Sequence, residues 1–140
     1  MILYTGGTFD LFHFGHVNFL KNCSKISSEV VVSLNTDEFV SEFKRTPILS
    51  YKERETSLLG CQYVDRVITN TGCSDSKPAI LDVGPDIIAI GDDWAKKDYM
   101  KQMNFTQEWL EEHDIILVYL QYTKDISTTE ILKRTADVFI

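Results

Sequence analysis

The run Thr5-Gly6-Gly7-Thr8-Phe9-Asp10-Leu11-Phe12-His13-Phe14-Gly15-His16 constrains this chain more than any other stretch. It follows the apolar run Ile2-Leu3-Tyr4, which predicts a buried first strand. It leads into Val17-Asn18-Phe19-Leu20-Lys21-Asn22-Cys23, where Phe14, Val17, Phe19, Leu20 and Cys23 recur at near-helical spacing. A strand, a glycine-bearing turn and a helix start mark the place where an open α/β sheet offers free backbone N–H groups to a ligand. His13 and His16 are three residues apart, so the first helical turn puts both on one face. Gly15 leaves room for a ligand to approach the backbone, and Gly6 and Gly7 allow a turn with positive φ. Thr8 adds a hydroxyl or amide donor. Two imidazoles above a helix N-terminus suit phosphate oxygens. A metal pair or two incidental surface histidines stay open as alternatives. A metal usually wants a third ligand, and His113, the remaining histidine, is distant in sequence.

At 140 residues the chain is expected to be one domain, residues 1–140, burying about two thirds of its unfolded surface. The net charge of −7 speaks against a general nucleic-acid binder, which wants a basic face. A single nucleotide needs only local positive potential. No apolar run reaches the roughly 18 residues of a membrane span, and no leader peptide is evident, so a cytoplasmic protein is expected. Cys23, Cys61 and Cys73 form no C-x-x-C and read as reduced core thiols.

Further along, Glu29-Val30-Val31-Val32-Ser33-Leu34 predicts a second strand buried on both faces and ending in Asn35-Thr36-Asp37. Residues 38–49 predict a short helical turn and a loop. Ser50-Tyr51-Lys52-Glu53 is a capping box for a helix that carries Arg54, Leu58 and Leu59 and stops near Gly60. Val64 to Ile68 predicts a third strand, and Pro78 opens a helix through Leu81. Ile87 to Ile90 is a fourth, buried strand closed by Gly91-Asp92-Asp93-Trp94, with Trp94 assigned to the core. Lys96 to His113 reads as helix in two pieces around Asn104-Phe105-Thr106. Ile115 to Leu120 is the fifth strand, and Ser127-Thr128-Thr129-Glu130 opens a last helix. Five strands alternating with helices predict an α/β fold, a parallel sheet with helices on both faces. The polar clusters at residues 5–16, 35–37, 91–94 and 121–128 all fall at carboxyl ends of strands, which points to one site.

Ser127 and Thr128 cap a helix, and free N–H groups beside two hydroxyls also suit an anion. Asp92 and Asp93 fit a helix cap, Mg²⁺ binding or base reading. By themselves Lys44 and Arg45 read as a solvated surface pair.

The string G-T-F-D followed by H-F-G-H resembles the HxGH nucleotidyltransferase superfamily and, within it, the cytidylyltransferases. The match keeps its order along nearly the whole chain, through Asn35-Thr36-Asp37-Glu38-Phe39, Tyr51 with Arg54, Tyr63-Val64-Asp65, G-D-D-W and I-S-T-T. G-D-D-W is most similar to the glycerol 3-phosphate branch of that family. The resemblance implies a Rossmann-like five-stranded parallel sheet and a transferase moving CMP from CTP to a small phosphorylated alcohol, glycerol 3-phosphate first, with release of pyrophosphate. It implies Mg²⁺ travelling with the triphosphate and a homodimer, with no nucleic-acid or membrane partner. Residue by residue, it assigns His13, His16 and Arg45 to catalysis. Gly7, Thr8, Phe9, Asp10, Arg54, Asp93, Thr123, Ser127 and Thr128 are assigned to the nucleotide, with Asp93 beside the cytosine. Lys44 and Lys97 fall to the acceptor. Where the branch carries basic residues, this chain has Phe43, Gln62 and Tyr122. Those replacements keep a second reading open, a nucleotide-binding or interaction module of the same fold with weak or lost turnover.

Overall fold

The structure, a computed structural model, describes residues 1–92 and 98–138. Its elements run β1 (Ile2–Gly7), α1 (Phe14–Lys25), β2 (Glu29–Leu34), α2 (Asp37–Phe43), α3 (Tyr51–Leu59), β3 (Arg66–Thr69), α4 (Lys77–Val83), β4 (Ile87–Gly91), α5 (Tyr99–Met103), α6 (Gln107–Glu112), β5 (Ile116–Leu120) and α7 (Thr128–Val138). The sheet is five-stranded and parallel in the order β3-β2-β1-β4-β5, the α/β Rossmann-like arrangement expected. From β1 the chain winds one way to β2 and β3, then the other way to β4 and β5. The crevice outside the carboxyl ends of β1 and β4 is therefore the switch point where such sheets bind ligands.

Alternation along the strands builds two cores. Leu3, Val30, Val32, Ile87 and Ala89 pack on one face with Phe19, Leu20 and Cys23 of α1 and Leu58 of α3. Tyr4, Val31, Ile88 and Ile90 pack on the other with Ala79, Ile80 and Val83 of α4, Tyr99 of α5 and Leu110 of α6. Because helices cover both faces, β2 from Val30 onward and all of β4 are buried rather than alternating.

Local signals set most boundaries. The Ser50 box forms as read: its hydroxyl accepts from Glu53 N, and Glu53 accepts from Ser50 N. Pro78 sits in the first turn of α4, which extends past Leu81 to Val83 and ends on Gly84 at φ 62°, a left-handed C-cap. The break at Asn104-Phe105-Thr106 is also real. Asn104 ends α5 at φ 64°, and the Thr106 hydroxyl starts α6 by accepting from Trp109 N.

Three expectations need correction. The third strand joins the sheet at Arg66 rather than Val64, because Val64 N is turned back onto Cys61 O and the Asp65 carboxylate accepts from Val30 N. Gly6 and Gly7 are extended and lie inside β1, so they supply no positive φ. Of the three thiols read as core, Cys23 is buried in it and Cys61 is half-buried against it, but Cys73 is exposed in the turn after β3.

Candidate active site

The left-handed backbone sits beyond the glycines, at Phe9 (φ 51°) and Leu11 (φ 49°). Such conformations cost a side-chain-bearing residue roughly 1–2 kcal/mol each, so the surroundings must impose them. Two contacts do so. The Phe9 ring is buried against Gly7, where an added Cβ would lie 2.8 Å from it. The Asp10 carboxylate accepts from Leu11 N (3.1 Å), Ile48 N (2.8 Å), Leu49 N (2.9 Å) and Arg45 Nη1 (3.0 Å). Burial by itself would raise the Asp10 carboxyl, but the Leu49 and Ile48 amides and the Arg45 guanidinium outweigh it and hold it below its ordinary value. Asp10 thus ties the α2–α3 loop to the β1–α1 corner, with its roughly four acceptor sites taken.

His13 is the N-cap of α1, and the two histidines cap one another. Gly15 N donates to His13 Nδ1 (3.1 Å), and His13 N donates to His16 Nδ1 (3.2 Å). Their rings stack at 3.7 Å between centroids, and Phe12 stacks on His16 from its other side at 5.5 Å. With each Nδ1 accepting, the hydrogen-bond pattern assigns both rings the neutral form with the proton on Nε2. Burial lowers His13, and it drives His16 down to about 3, helped by the neighbouring His13 and opposed by the Asp10 charge. The pair therefore presents two neutral N–H donors rather than two cations. Gly15 does not leave ligand space as expected: a Cβ there would meet Ile126 Cγ2 at 2.8 Å and the His13 ring at 3.0 Å.

That contact places the start of α7. Ile126 is buried against Gly15, and the Thr128 hydroxyl donates to Asp10 O (2.8 Å), so α7 begins beside the beginning of α1. Ser127 Oγ accepts from Glu130 N (3.0 Å), the cap read from I-S-T-T. Thr123 Oγ1 accepts from Asn18 Nδ2 (3.0 Å), which turns it toward α1. Tyr122 packs on Phe19, and its N–H donates to Asp92 Oδ1 (3.0 Å). Asp93, Trp94 and Lys97 lie outside the described residues.

The two arginines differ sharply. Arg54 has no exposed surface, and its guanidinium donates to Leu49 O, Thr8 O, Asn35 O and Asp37 Oδ1. It holds together the carboxyl ends of β1 and β2 and the start of α3. Arg45, 42% exposed in its side chain, keeps Asp10 as its carboxylate partner. Lys44 beside it lies over the Phe43 ring, 5.8 Å from the centroid.

Residues 4–134 match the family model described as cytidylyltransferase-like. The chain belongs to the cytidylyltransferase-like family. It is 35% identical over 132 residues to a glycerol-3-phosphate cytidylyltransferase from Bacillus subtilis, covering 94% of this chain and 95% of that one. It is 33% identical over 142 residues to an FAD synthase from Thermococcus sibiricus, covering 96% and 92%. A solved lipopolysaccharide core biosynthesis protein from Thermoplasma volcanium superposes with a TM-score of 0.72 at 26% identity, covering 88% of this chain and 98% of that one.

Within this cytidylyltransferase-like domain the sequence reading assigned no role to several residues that build the corner. Asn35 Nδ2 donates to Thr8 Oγ1 (3.2 Å) and its Oδ1 accepts from the buried Asn70. Asp37 accepts from Arg54 (2.6 Å) and from Tyr51 N (3.2 Å). The polar run at the end of β2 was a visible signal of something there, but partners from α3 and the turn after β3 are not legible from spacing.

Proposed function

We propose that this chain transfers CMP from CTP to a small phosphorylated alcohol, glycerol 3-phosphate first among the candidates, and releases pyrophosphate. The observation that carries the reading is the convergence of the His13–His16 pair and two helix N-termini at the sheet's switch point. The near full-length similarity to a glycerol-3-phosphate cytidylyltransferase supports CTP and glycerol 3-phosphate as the first substrates to test. An oxygen of the acceptor phosphate attacks the α-phosphorus, the bond from that phosphorus to the bridging oxygen breaks, and pyrophosphate leaves with the electron pair. The acceptor oxygen is already anionic near neutral pH, so no protein nucleophile or general base is needed. The work left to the protein is positioning and stabilising the charge that grows on the phosphates.

His13 and His16 supply that stabilisation through Nε2–H, and Ser127, Thr128 and the free amides of α7 hold phosphate oxygens. Lys44 and Arg45 bring the acceptor's anion against the triphosphate, with Arg45 exchanging Asp10 for a phosphate. Gly7, Thr8 and Phe9 line the nucleotide through the turn, and Asp93 and Lys97 take the cytosine and the acceptor. Arg54 and Asp10 act from beneath by fixing that turn and the α2–α3 loop. The described residues contain no group of three or more His, Cys, Asp or Glu side chains that could hold a metal ion, and the Asp10 carboxylate is filled. Mg²⁺ belongs to this reading as part of the nucleotide substrate, bound by its phosphates.

A second copy of the chain completes the proposal. α7 is amphipathic yet has no fully buried residue, and its Ile131 and Leu132 are only half-buried, leaving that side for a partner protomer to cover further, which light scattering reads directly. A specific observation favours a second reading, in which turnover is weak: Tyr122 packs onto Phe19 and Phe43 stands exposed, at positions where the glycerol 3-phosphate branch carries basic residues. A pyrophosphate-release assay over four nucleoside triphosphates, against glycerol 3-phosphate, ethanolamine phosphate and FMN, separates the readings. CTP with glycerol 3-phosphate is the expected pair. ATP with FMN assigns the chain to the FAD synthase chemistry, and nucleotide binding without pyrophosphate supports the non-catalytic module.

A further inference from the structure

Two cavities open away from the histidine pair, and neither is lined by His13 or His16. The one of about 430 Å³ lies between α1 and the β5–α7 connection. Helical spacing puts Asn18, Lys21, Asn22 and Lys25 on the side of α1 opposite the buried Phe19, Leu20 and Cys23. Thr123 and Lys124 close the cavity from the connection, and the Asn18–Thr123 hydrogen bond fixes the two walls to each other.

The charge there runs against the rest of the molecule. The protein carries a net charge of −7, yet among the described residues that line this cavity none is acidic and three are lysines. Six ion pairs join the described residues, and none uses Lys21, Lys25 or Lys124. Lys21 and Lys25 are also i, i+4 neighbours, a like-charge pair that weakens the helix where an acidic residue would strengthen it. Ordinary solvated lysines do not need a concave wall of amide and hydroxyl groups between them. An anion does: the ammonium groups supply charge, and the Asn22 amide and Thr123 hydroxyl supply neutral hydrogen bonds.

We propose that this cavity is an anion site separate from the histidine corner, suited to a small molecule bearing more than one phosphate or carboxylate group. The volume is in the range of small-molecule sites, and three cations exceed what a single monoanion needs. Thr123, which the resemblance gave to the nucleotide, is turned toward α1 by its bond from Asn18, and the cavity rests on Lys21 and Lys25, which have no part in the reaction assigned above.

Inorganic pyrophosphate is the probe, followed by amide chemical shifts of the full chain at constant ionic strength. Amides of Asn22, Lys25, Thr123 and Lys124 are expected to shift along a saturable curve. In K21Q/K25Q the dissociation constant read from those amides rises by about tenfold or more, the loss of two charge-assisted hydrogen bonds. Both lysines are exposed, so the variant keeps its fold, and K124Q tests the opposite wall independently. Groove amides that do not move, that move equally in the variants, or that respond the same way to sodium chloride overturn the proposal.

Discussion

The two helices that begin at the corner are held there in different ways. α1 is built into the protein. Gly15, Phe19, Leu20 and Cys23 are buried along it, and its N-terminus is closed by the reciprocal His13–His16 box. α7 has no buried residue, and its start is held by Ile126 against Gly15, one hydrogen bond from Thr128 to Asp10 O, and a serine cap. At α1 the Gly15 amide is spent on His13 Nδ1, so the ring Nε2–H groups are what an anion meets there. The serine cap of α7 takes Glu130 N and leaves the amides before it. Their difference separates two jobs. Groups fixed by the core can be held ready for a transition state at no reorganisation cost, whereas a helix fastened at one end can give way as a ligand enters or leaves.

The sharpest way to break the comparison is at its rigid side. His16→Ala removes one Nε2–H donor, and turnover should fall by about a hundredfold or more. Loss of its bond from His13 N should lower stability by only about 1 kcal/mol, the worth of a cap. Pyrophosphate release and a thermal melt read the two effects separately. Near-normal turnover in a folded variant would remove the histidines from the chemistry. A smaller effect probes the joint between the helices. In Gly15→Ala the new Cβ meets Ile126 Cγ2 at 2.8 Å, an overpacking that costs about 1–3 kcal/mol against a gain in helix propensity of up to about 1. Because Ile126 leads directly into α7, the variant should raise KM for the nucleotide more than it lowers kcat. Equal changes in both would mean that α7 matters to the transition state as much as α1 does.

How much of this could be read in advance depended on how local each cause was. The alternation of five strands with helices, the Ser50 box and the break at Asn104–Thr106 follow from patterns within a few residues, and each appears as read. The nearness of α7 to α1 followed from a rule about sheet ends rather than from spacing, and Thr128 and Ile126 give it atoms. The histidine box was not legible. Capping boxes are expected of Ser, Thr and Glu, and the sequence suggested donors without showing that both Nδ1 atoms are spent on the backbone. Gly7 and Gly15 were visible as glycines, but their reasons, the Phe9 ring and Ile126, come from the folded corner. Arg54 is the clearest case. Its spacing from Ser50 placed it on α3, while complete burial under four acceptors needed β1, β2 and the loop between α2 and α3 to be in place.

The mildest test uses acid and distinguishes neutral donors from cations. His16 has its folded pKa pushed down to about 3, and His13 is lowered as well, against about 6.5 for an imidazole in the unfolded chain. Between those values the unfolded state binds protons that the folded state refuses, so stability must decline as pH falls from about 6.5 toward 3 and be unaffected by this pair above it. Asp10, lowered in the folded state, adds its own loss only at the acid end, as pH drops below the ordinary carboxylate value. Ring-nitrogen chemical shifts should show His16 carrying its proton on Nε2, and still neutral at pH 5, when a free imidazole is almost wholly protonated. His16→Asn keeps a polar side chain but removes the titration, so its stability should slope less steeply between pH 6.5 and 4 than that of the parent. Protonation of His16 near pH 6.5, or parallel slopes for the two proteins, would mean that α1 begins under charged imidazoles. The contrast with the serine-capped start of α7 would then be one of charge, and no longer one of rigidity alone.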